Sequence, residues 1–210
     1  MHRSNQARLG PVLLFSVCYM VAIGVMSRAA ETPGLGMYLG LIAVLGVAIY
    51  RADRAYPFPP ALLWAFSIWG LFHMIGGLVP LPSGWPAEGS DPVFYNWWLI
   101  PESLKYDQLV HAYGFGLTTY FCWHVLRTAL RSPDGSPVRP TLAMMVLCVA
   151  GGMGFGALNE VVEFIATFLL PENNVGDYNN LGWDLVANLA GSLIAALAIR
   201  GLYGRRQGIR

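Results

Sequence analysis

The chain has 210 residues, room for a single domain, with a net charge of +1 and only 12% charged residues. Its hydrophobic fraction is 55% and its mean hydropathy is +0.49, whereas a soluble domain carries about 25% charged residues. This composition argues against a water-soluble globule and against a nucleic-acid-binding protein, and it predicts a lipid bilayer as the surroundings. The three cysteines lie far apart in apolar stretches, which indicates buried hydrophobic residues and neither a disulfide nor a thiolate metal site.

Six stretches are long and apolar enough to cross a bilayer as helices, which takes about 20 residues. In chain order the predicted spans cover residues 9–26, 35–50, 60–79, 106–126, 141–170 and 181–202. The second is short. The fifth would be about 45 Å long as one helix, so it must tilt, bend near Gly151–Gly156 or project from the membrane. The predicted fold is all-α: one integral membrane domain over residues 1–210, a polytopic bundle of about six transmembrane helices.

The first apolar run follows Arg3 and Arg8, as the core of a signal peptide would. The run is long, however, and Arg28 does not suit a small-residue cleavage site after Ala30. We therefore predict that this segment is a retained span.

Basic residues indicate how the predicted bundle is oriented. Eleven of the thirteen Lys and Arg residues lie at the two ends of the chain or in the loops between spans two and three and between spans four and five. Only Arg28 and Lys105 lie in the alternate loops. By the positive-inside rule both termini are cytoplasmic, and the segments 27–34, 80–105 and 171–180 face outward. The expected location is the bacterial inner membrane.

The predicted outer segment 80–105 is rich in aromatic residues, namely Trp85, Tyr95, Trp97 and Trp98. Tryptophan rings commonly lie at headgroup depth, so this segment is typical of an interfacial belt. A second interpretation is a lid over a site beneath it.

Polar residues recur inside the last three spans, where each ionisable group costs about 2.5–3.5 kcal/mol near the bilayer centre. Seven of them share helical faces through i, i+4 or adjacent spacing, and they are Asp107, His111, Asn159, Glu160, Glu163, Asp184 and Asn188. The predicted topology puts all seven in the outer half of the membrane. Small residues beside each group, such as the pair Gly152 and Gly156, allow the helices to approach closely.

Two chemistries fit this group. Carboxylates with one imidazole can hold a divalent metal of unidentified kind, and crowded buried carboxylates can also share protons as a general acid and base. A third interpretation is a structural set of interhelical hydrogen bonds. The candidate catalytic and metal-binding residues are Asp107, His111, Glu160, Glu163 and Asp184, and the candidate supporting residues are His73, Asn159, Asp177, Asn180 and Asn188.

Some supporting residues also have an ordinary structural interpretation. His73 is at a depth comparable to that of the polar group, but its position is more typical of a core or interfacial histidine. Asp177 and Asn180 follow Pro171 and are typical of a turn that caps the sixth span. Their alternative position is above the polar site.

The motifs Asp107-x-x-x-His111, Glu160-x-x-Glu163 with Phe164, and Asp184-x-x-x-Asn188-x-x-Gly191 resemble the uncharacterised bacterial inner-membrane family typified by YjdF. Over about residues 100–200 they are also similar to the VanZ-like family. Glu163 stands where that family has Gln, and the Arg usual between Glu163 and Asp184 is missing, which argues against a link to glycopeptide resistance. The resemblance implies a shared polar site and no particular reaction.

These patterns favour a membrane enzyme with a metal or acid/base centre, acting on a lipid or lipid-linked substrate at the outer leaflet. A proton- or ion-coupled transporter would show acidic residues through the whole membrane depth and an internal repeat, and neither is evident. The other alternative is an accessory protein whose polar cluster is structural.

Overall fold

A computed structural model describes residues 2–32, 34–89, 92–130, 135–136, 138–169 and 178–206, with side chains from residue 9 to residue 203 of these. Six long helices account for most of them: α1 (His2–Ala29), α2 (Leu35–Ala55), α3 (Pro60–Leu78), α4 (Tyr106–Ala129), α5 (Leu142–Leu169) and α6 (Tyr178–Arg206). Between α3 and α4 lie a short 3-10 turn (Phe94–Asn96) and two strands, β1 (Trp98–Ile100) and β2 (Leu104–Lys105). The predicted all-α membrane bundle is confirmed.

Five of these helices have the length and hydropathy of membrane spans within the described residues, and α4 is the exception. Its 24 residues are enough to cross a bilayer. Its composition is more polar, because Asp107, Gln108 and His111 occupy its first two turns. The helix that departs from the hydropathy of a span is therefore one of the three that carry the candidate catalytic residues, in this case Asp107 and His111.

Helix α1 begins seven residues before its predicted span, α2 extends beyond the predicted end of its own, and α5 agrees closely with the prediction. The second was predicted to end near residue 50, yet α2 continues to Ala55 because helical hydrogen bonding does not require apolar side chains. Its last turn is held by buried Asp53, whose Oδ1 accepts a hydrogen bond from the backbone N–H of Phe58 at 2.8 Å. The fifth span is one continuous helix of 28 residues, about 42 Å long at the usual helical rise.

The chain divides into two compact units. Unit 1 comprises Met1–Val110 and Phe164–Gly176, and unit 2 comprises His111–Glu163 and Asp177–Arg210. The continuous helices α4 and α5 each contribute residues to both units.

In unit 1, α3 packs against α1 around Tyr19, Ile23, Met74 and Leu78. A hydrogen bond of 2.7 Å joins the hydroxyl oxygens of Ser16 and Ser67 between the same two helices. The apolar side chains remove surface from water or lipid on the inside of this group, and the serine pair satisfies two polar groups that would otherwise be costly in a membrane.

The segment between α3 and α4 fixes where α4 begins. Strands β1 and β2 pair antiparallel, with Trp98 opposite Lys105. The backbone N–H of Tyr106 then donates to the carbonyl of Trp97 at 3.0 Å. The side chain of Gln108 accepts from the backbone N–H of Lys105 at 3.1 Å, which satisfies a donor at the start of α4 in the manner of a capping box.

In unit 2, α4, α5 and α6 pack around an apolar cluster and a glycine-lined contact. The buried members of the cluster are Trp123, Met145, Cys148, Ala196 and Ile199. A methyl group on Gly152 would lie 2.8 Å from the hydroxyl oxygen of Ser192 and 3.1 Å from the carbonyl oxygen of Phe115. Only glycine permits this spacing of the three helices, as the small residues in the sequence predict.

Candidate metal centre

The site begins in the first two turns of α4, where Asp107 and His111 are both buried, at 7% and 4% exposure. The i, i+4 spacing places them on one face of the helix, and their candidate ligand atoms lie within 4.8 Å of each other. The predicted pairing of these two residues on one helix is therefore borne out by the geometry of α4.

Within unit 2 the imidazole of His111 is held from two other helices. Its Nδ1 lies 3.1 Å from Oδ1 of Asn188 on α6 and 3.5 Å from Oε1 of Glu160 on α5. All three side chains are buried, with Asn188 fully so. A ring nitrogen between two oxygen acceptors is favoured as the protonated one, which leaves the lone pair on Nε2.

Asp184 supplies a second carboxylate to His111 within unit 2. It lies one helical turn before Asn188 on α6 and is fully buried. A carboxylate oxygen of Asp184 and a ring nitrogen of His111 lie within 4.8 Å of each other. Oδ2 of Asp184 accepts a hydrogen bond of 2.6 Å from Nδ2 of Asn180. Asn180 thus contacts a candidate ligand, and its predicted supporting role stays a prediction.

His111 is consequently a member of two candidate ligand pairs, one with Asp107 on the same helix α4 and one with Asp184 within unit 2. An imidazole nitrogen and carboxylate oxygens form a mixed ligand set of the kind that transition metals and zinc accept in proteins. Buried charges of this sort are costly in a membrane unless a cation or hydrogen bonds compensate them.

The two glutamates of α5, which the spacing places on a common patch, make different contacts. Glu160 is 5% exposed and approaches His111. Glu163 is half-buried and its Oε1 accepts a hydrogen bond of 2.6 Å from Nδ2 of Asn159. The pair Asn159 and Glu163 is therefore an intrahelical contact of α5, and the role predicted for these two residues at the site stays a prediction.

His73 belongs to unit 1, where it lies in an aromatic cluster on α3. Its Nδ1 is hydrogen-bonded to the hydroxyl of Tyr95. The rings of Tyr38 and Trp69 lie 5.3 and 5.5 Å from the imidazole, measured between centroids. The contacts of His73 match those of a core histidine, and its predicted supporting role remains untested. Asp177 lies outside the described residues.

Two further buried polar residues extend the site, Thr119 on α4 and Ser192 on α6, and both are fully buried. The hydroxyls of Thr119 and Ser192 donate to the carbonyl of Phe115 at 2.9 and 3.3 Å. Neither residue is among the candidates that the sequence pattern indicates. Continuing the i, i+4 series from His111 and Asn188 finds both of them.

Comparison with known proteins identifies a family for nearly the whole chain. The family model described as "Predicted membrane protein (DUF2238)" matches residues 10–205. This is consistent with the resemblance to uncharacterised membrane proteins of the YjdF type. No curated protein matches the chain. No solved structure matches it either.

Proposed function

We propose that this chain, which belongs to the DUF2238 family of predicted membrane proteins, binds a divalent metal through Asp107, His111 and Asp184. The bound metal serves an enzyme that acts on a lipid or lipid-linked substrate. The multi-pass membrane location rests on the family and on five apolar helices among the described residues. The metal, the reaction and the substrate are the proposed part.

The observation that carries the proposal is the support of His111 by Asn188 and Glu160. Metal-binding histidines characteristically donate their second ring N–H to a carboxylate or carbonyl oxygen, which fixes the tautomer and the ring orientation. Here Nδ1 of His111 faces such oxygens at 3.1 and 3.5 Å. A histidine that served only to connect α4 to α6 would not require the carboxylate oxygen of Glu160 at the same ring nitrogen.

The donor set favours particular metals. One imidazole and two carboxylates suit Zn²⁺, Mn²⁺ or Fe²⁺ better than Ca²⁺, which takes six to eight oxygen ligands. Such a metal lowers the pKa of a bound water and polarises carbonyl or phosphoryl oxygens. In this proposal Glu160, beside Nδ1 of His111, acts as the general base.

The substrate class follows from where the site is proposed to lie. By the positive-inside rule, the charge distribution of the loops predicts that both termini are cytoplasmic, and Asp107 closely follows the predicted outer segment 80–105. A site in the first turns of α4 is then in the outer half of the bilayer, where lipid headgroups and their ester linkages are the available substrates. The aromatic segment 80–105 is proposed to cover it.

Metal analysis of the purified protein tests this function. The wild type, purified in detergent after growth with Zn²⁺ and Mn²⁺, is expected to carry about one divalent ion per chain by inductively coupled plasma mass spectrometry. His111→Ala and Asp184→Ala should each lose it. His124→Ala, on the same helix α4 but three turns further along, is the matched control and should keep it.

A lipid assay completes the test of enzymatic function. Metal-loaded wild type is incubated with a bacterial lipid extract, and the products are compared by mass spectrometry with those of His111→Ala. A lipid species that is consumed only by the wild type supports the proposal. Absence of metal from a folded wild type, or unchanged metal content in folded Asp184→Ala, would contradict the metal site.

A further inference from the structure

Asn188 has one hydrogen-bonding group that the structure of the site leaves unmatched. The side chain is fully buried, and its Oδ1 is engaged by Nδ1 of His111 at 3.1 Å. Its Nδ2, by contrast, has no hydrogen-bond acceptor among the residues that the structure describes. A buried amide donor without an acceptor costs about 1–3 kcal/mol, so its retention indicates an acceptor from a ligand.

Gly156 on α5 allows the helix backbone to pack directly against this donor. A methyl group on Gly156 would lie 2.7 Å from Nδ2 of Asn188 and 3.1 Å from its Cγ. Any larger residue would therefore press on the amide and displace it from His111. Gly156 lies one turn before Glu160 on the same helix, so the donor is held on the side of the site that carries the general-base candidate.

The charges around the donor favour a neutral ligand. As carboxylates, Asp107, Glu160 and Asp184 carry three negative charges. A divalent ion balances two of them, which leaves one. Among the described side chains of unit 2, the arginines of α4 and α6 are far along their helices. Arg127 comes about 24 Å after His111, and Arg200 about 18 Å after Asn188.

A phosphate would accordingly meet net repulsion at this site and no partner arginine from these helices. Lys105, two residues before Asp107, is already ion-paired with Glu88 in unit 1. A neutral carbonyl oxygen meets no such repulsion, and an amide N–H is a suitable donor to it. Without a metal the site is more negative still, so the preference for a neutral ligand holds in both cases.

We propose that Asn188 donates a hydrogen bond from Nδ2 to the carbonyl oxygen of a neutral glycerolipid ester bound beside His111 and Asp184. The inference rests on the proposed function, because it takes the same site and names the class of its lipid. Asn188 then has two roles: its oxygen orients His111, and its nitrogen recognises the ester.

A matched pair of lipids tests the carbonyl directly. Dioleoylglycerol contains two ester carbonyls, and the dioleyl diether of glycerol has the same chains without them. Binding of each to detergent-purified wild type is measured by native mass spectrometry over a concentration series. The diester is expected to bind about tenfold more tightly than the diether, and dioleoylphosphatidic acid is expected to bind no more tightly than the diester.

Asn188→Asp assigns the effect to the amide nitrogen. Aspartate keeps an oxygen acceptor for Nδ1 of His111 and replaces the amide donor with a second carboxylate oxygen. The tenfold preference for the diester should disappear in this variant. Leu197→Ala, on the same helix α6 but 71% exposed, is the control and should retain the preference. Elution volume and helical circular dichroism establish that each variant is folded.

The outcomes separate this inference from the proposed function. Equal binding of diester and diether to the wild type, binding of neither, or tighter binding of phosphatidic acid would overturn the inference even if metal is present. A diester preference that depends on Asn188 in a protein without metal would support the inference and reject the metal site. The lipid pair is measured on wild type, so the test stands even where Asn188→Asp does not fold.

Discussion

Gly116 and Gly191 bring the backbones of α4 and α6 into direct contact, since a methyl group on Gly116 would lie 2.9 Å from the carbonyl oxygen of Gly191. The reverse holds as well, because a methyl group on Gly191 would overlap the carbonyl of Ala112. This contact lies one turn from both His111 and Asn188. The hydrogen bond between those two side chains therefore depends on a helix separation that only glycine permits.

The first prediction is that Gly191→Ala destabilises unit 2. The added methyl group has no free space and must push the α4 backbone away, at a cost of about 1–3 kcal/mol or more in the free energy of unfolding. Gly201→Ala is the matched control on the same helix, because nothing lies within 4 Å of a methyl group there. Thermal or denaturant unfolding in detergent measures both. Equal stability of the two variants would contradict the close contact.

The second prediction separates the two glutamates of α5. Glu160 approaches His111, whereas Glu163 accepts from Asn159. Loss of a residue that orients a metal ligand typically lowers metal affinity about 10–100-fold. We therefore expect that loss for Glu160→Ala and an affinity close to wild type for Glu163→Ala.

Competition with a fluorescent zinc chelator measures both affinities. The same experiment reports on the sequence-based assignment of both glutamates to the metal. An equal loss in the two variants would favour that broader ligand set over the narrower one that the contacts of His111 support.

Much of the site could be predicted from helical periodicity alone. Asp107 and His111 on α4, and Asp184 and Asn188 on α6, each have i, i+4 spacing, and the structure places each pair on one buried face. Periodicity is a local property, so it survives whatever the helices pack against. The first residue of α4 could also be predicted from the sequence, because the polar segment 80–105 ends where the first turn of the helix begins.

The distinction between Glu160 and Glu163 depends on helix rotation, which is a tertiary property. Both lie within one helical patch of α5, and spacing alone assigned both to the site. The glycines do not separate them either, because Glu163 lies within about 20° of both Gly152 and Gly156 around the helix. Only the contacts formed in unit 2 show that Glu160 approaches His111 and that Glu163 accepts from Asn159.

The third prediction concerns how the aromatic segment is attached to α3. Tyr95 is 8% exposed, and its hydroxyl is hydrogen-bonded to Nδ1 of His73. Tyr95→Phe removes this bond and leaves a buried ring nitrogen with one partner fewer, which costs about 0.5–1.5 kcal/mol. Amide hydrogen exchange in residues 92–100 is then expected to accelerate about two- to tenfold.

Tyr50→Phe on α2 is the control for this exchange experiment, because Tyr50 is 47% exposed. Its exchange in residues 92–100 should equal that of the wild type. An unchanged rate in Tyr95→Phe would mean that packing alone holds the segment, through contacts such as the Tyr95 ring against Gly76.

The fourth prediction concerns the orientation of the chain in the membrane. Single cysteines are introduced by Ser90→Cys and by Pro133→Cys in a chain whose three native cysteines are replaced by alanine. Residue 90 lies in a predicted outer segment with one basic residue, and residue 133 in a predicted inner segment with three. Since basic loops stay in the cytoplasm, a membrane-impermeant maleimide added to intact cells should label residue 90 and not residue 133.

Detergent-solubilised protein provides the reference, where both cysteines should react fully. Labelling of residue 133 alone in intact cells would invert the orientation and place the proposed site on the cytoplasmic side. Equal labelling of both would contradict an odd number of crossings between residues 90 and 133, and α4 is the one helix described between them. Asp107, Gln108 and His111 lower the mean hydropathy of α4. The experiment therefore decides whether this helix nevertheless crosses the membrane.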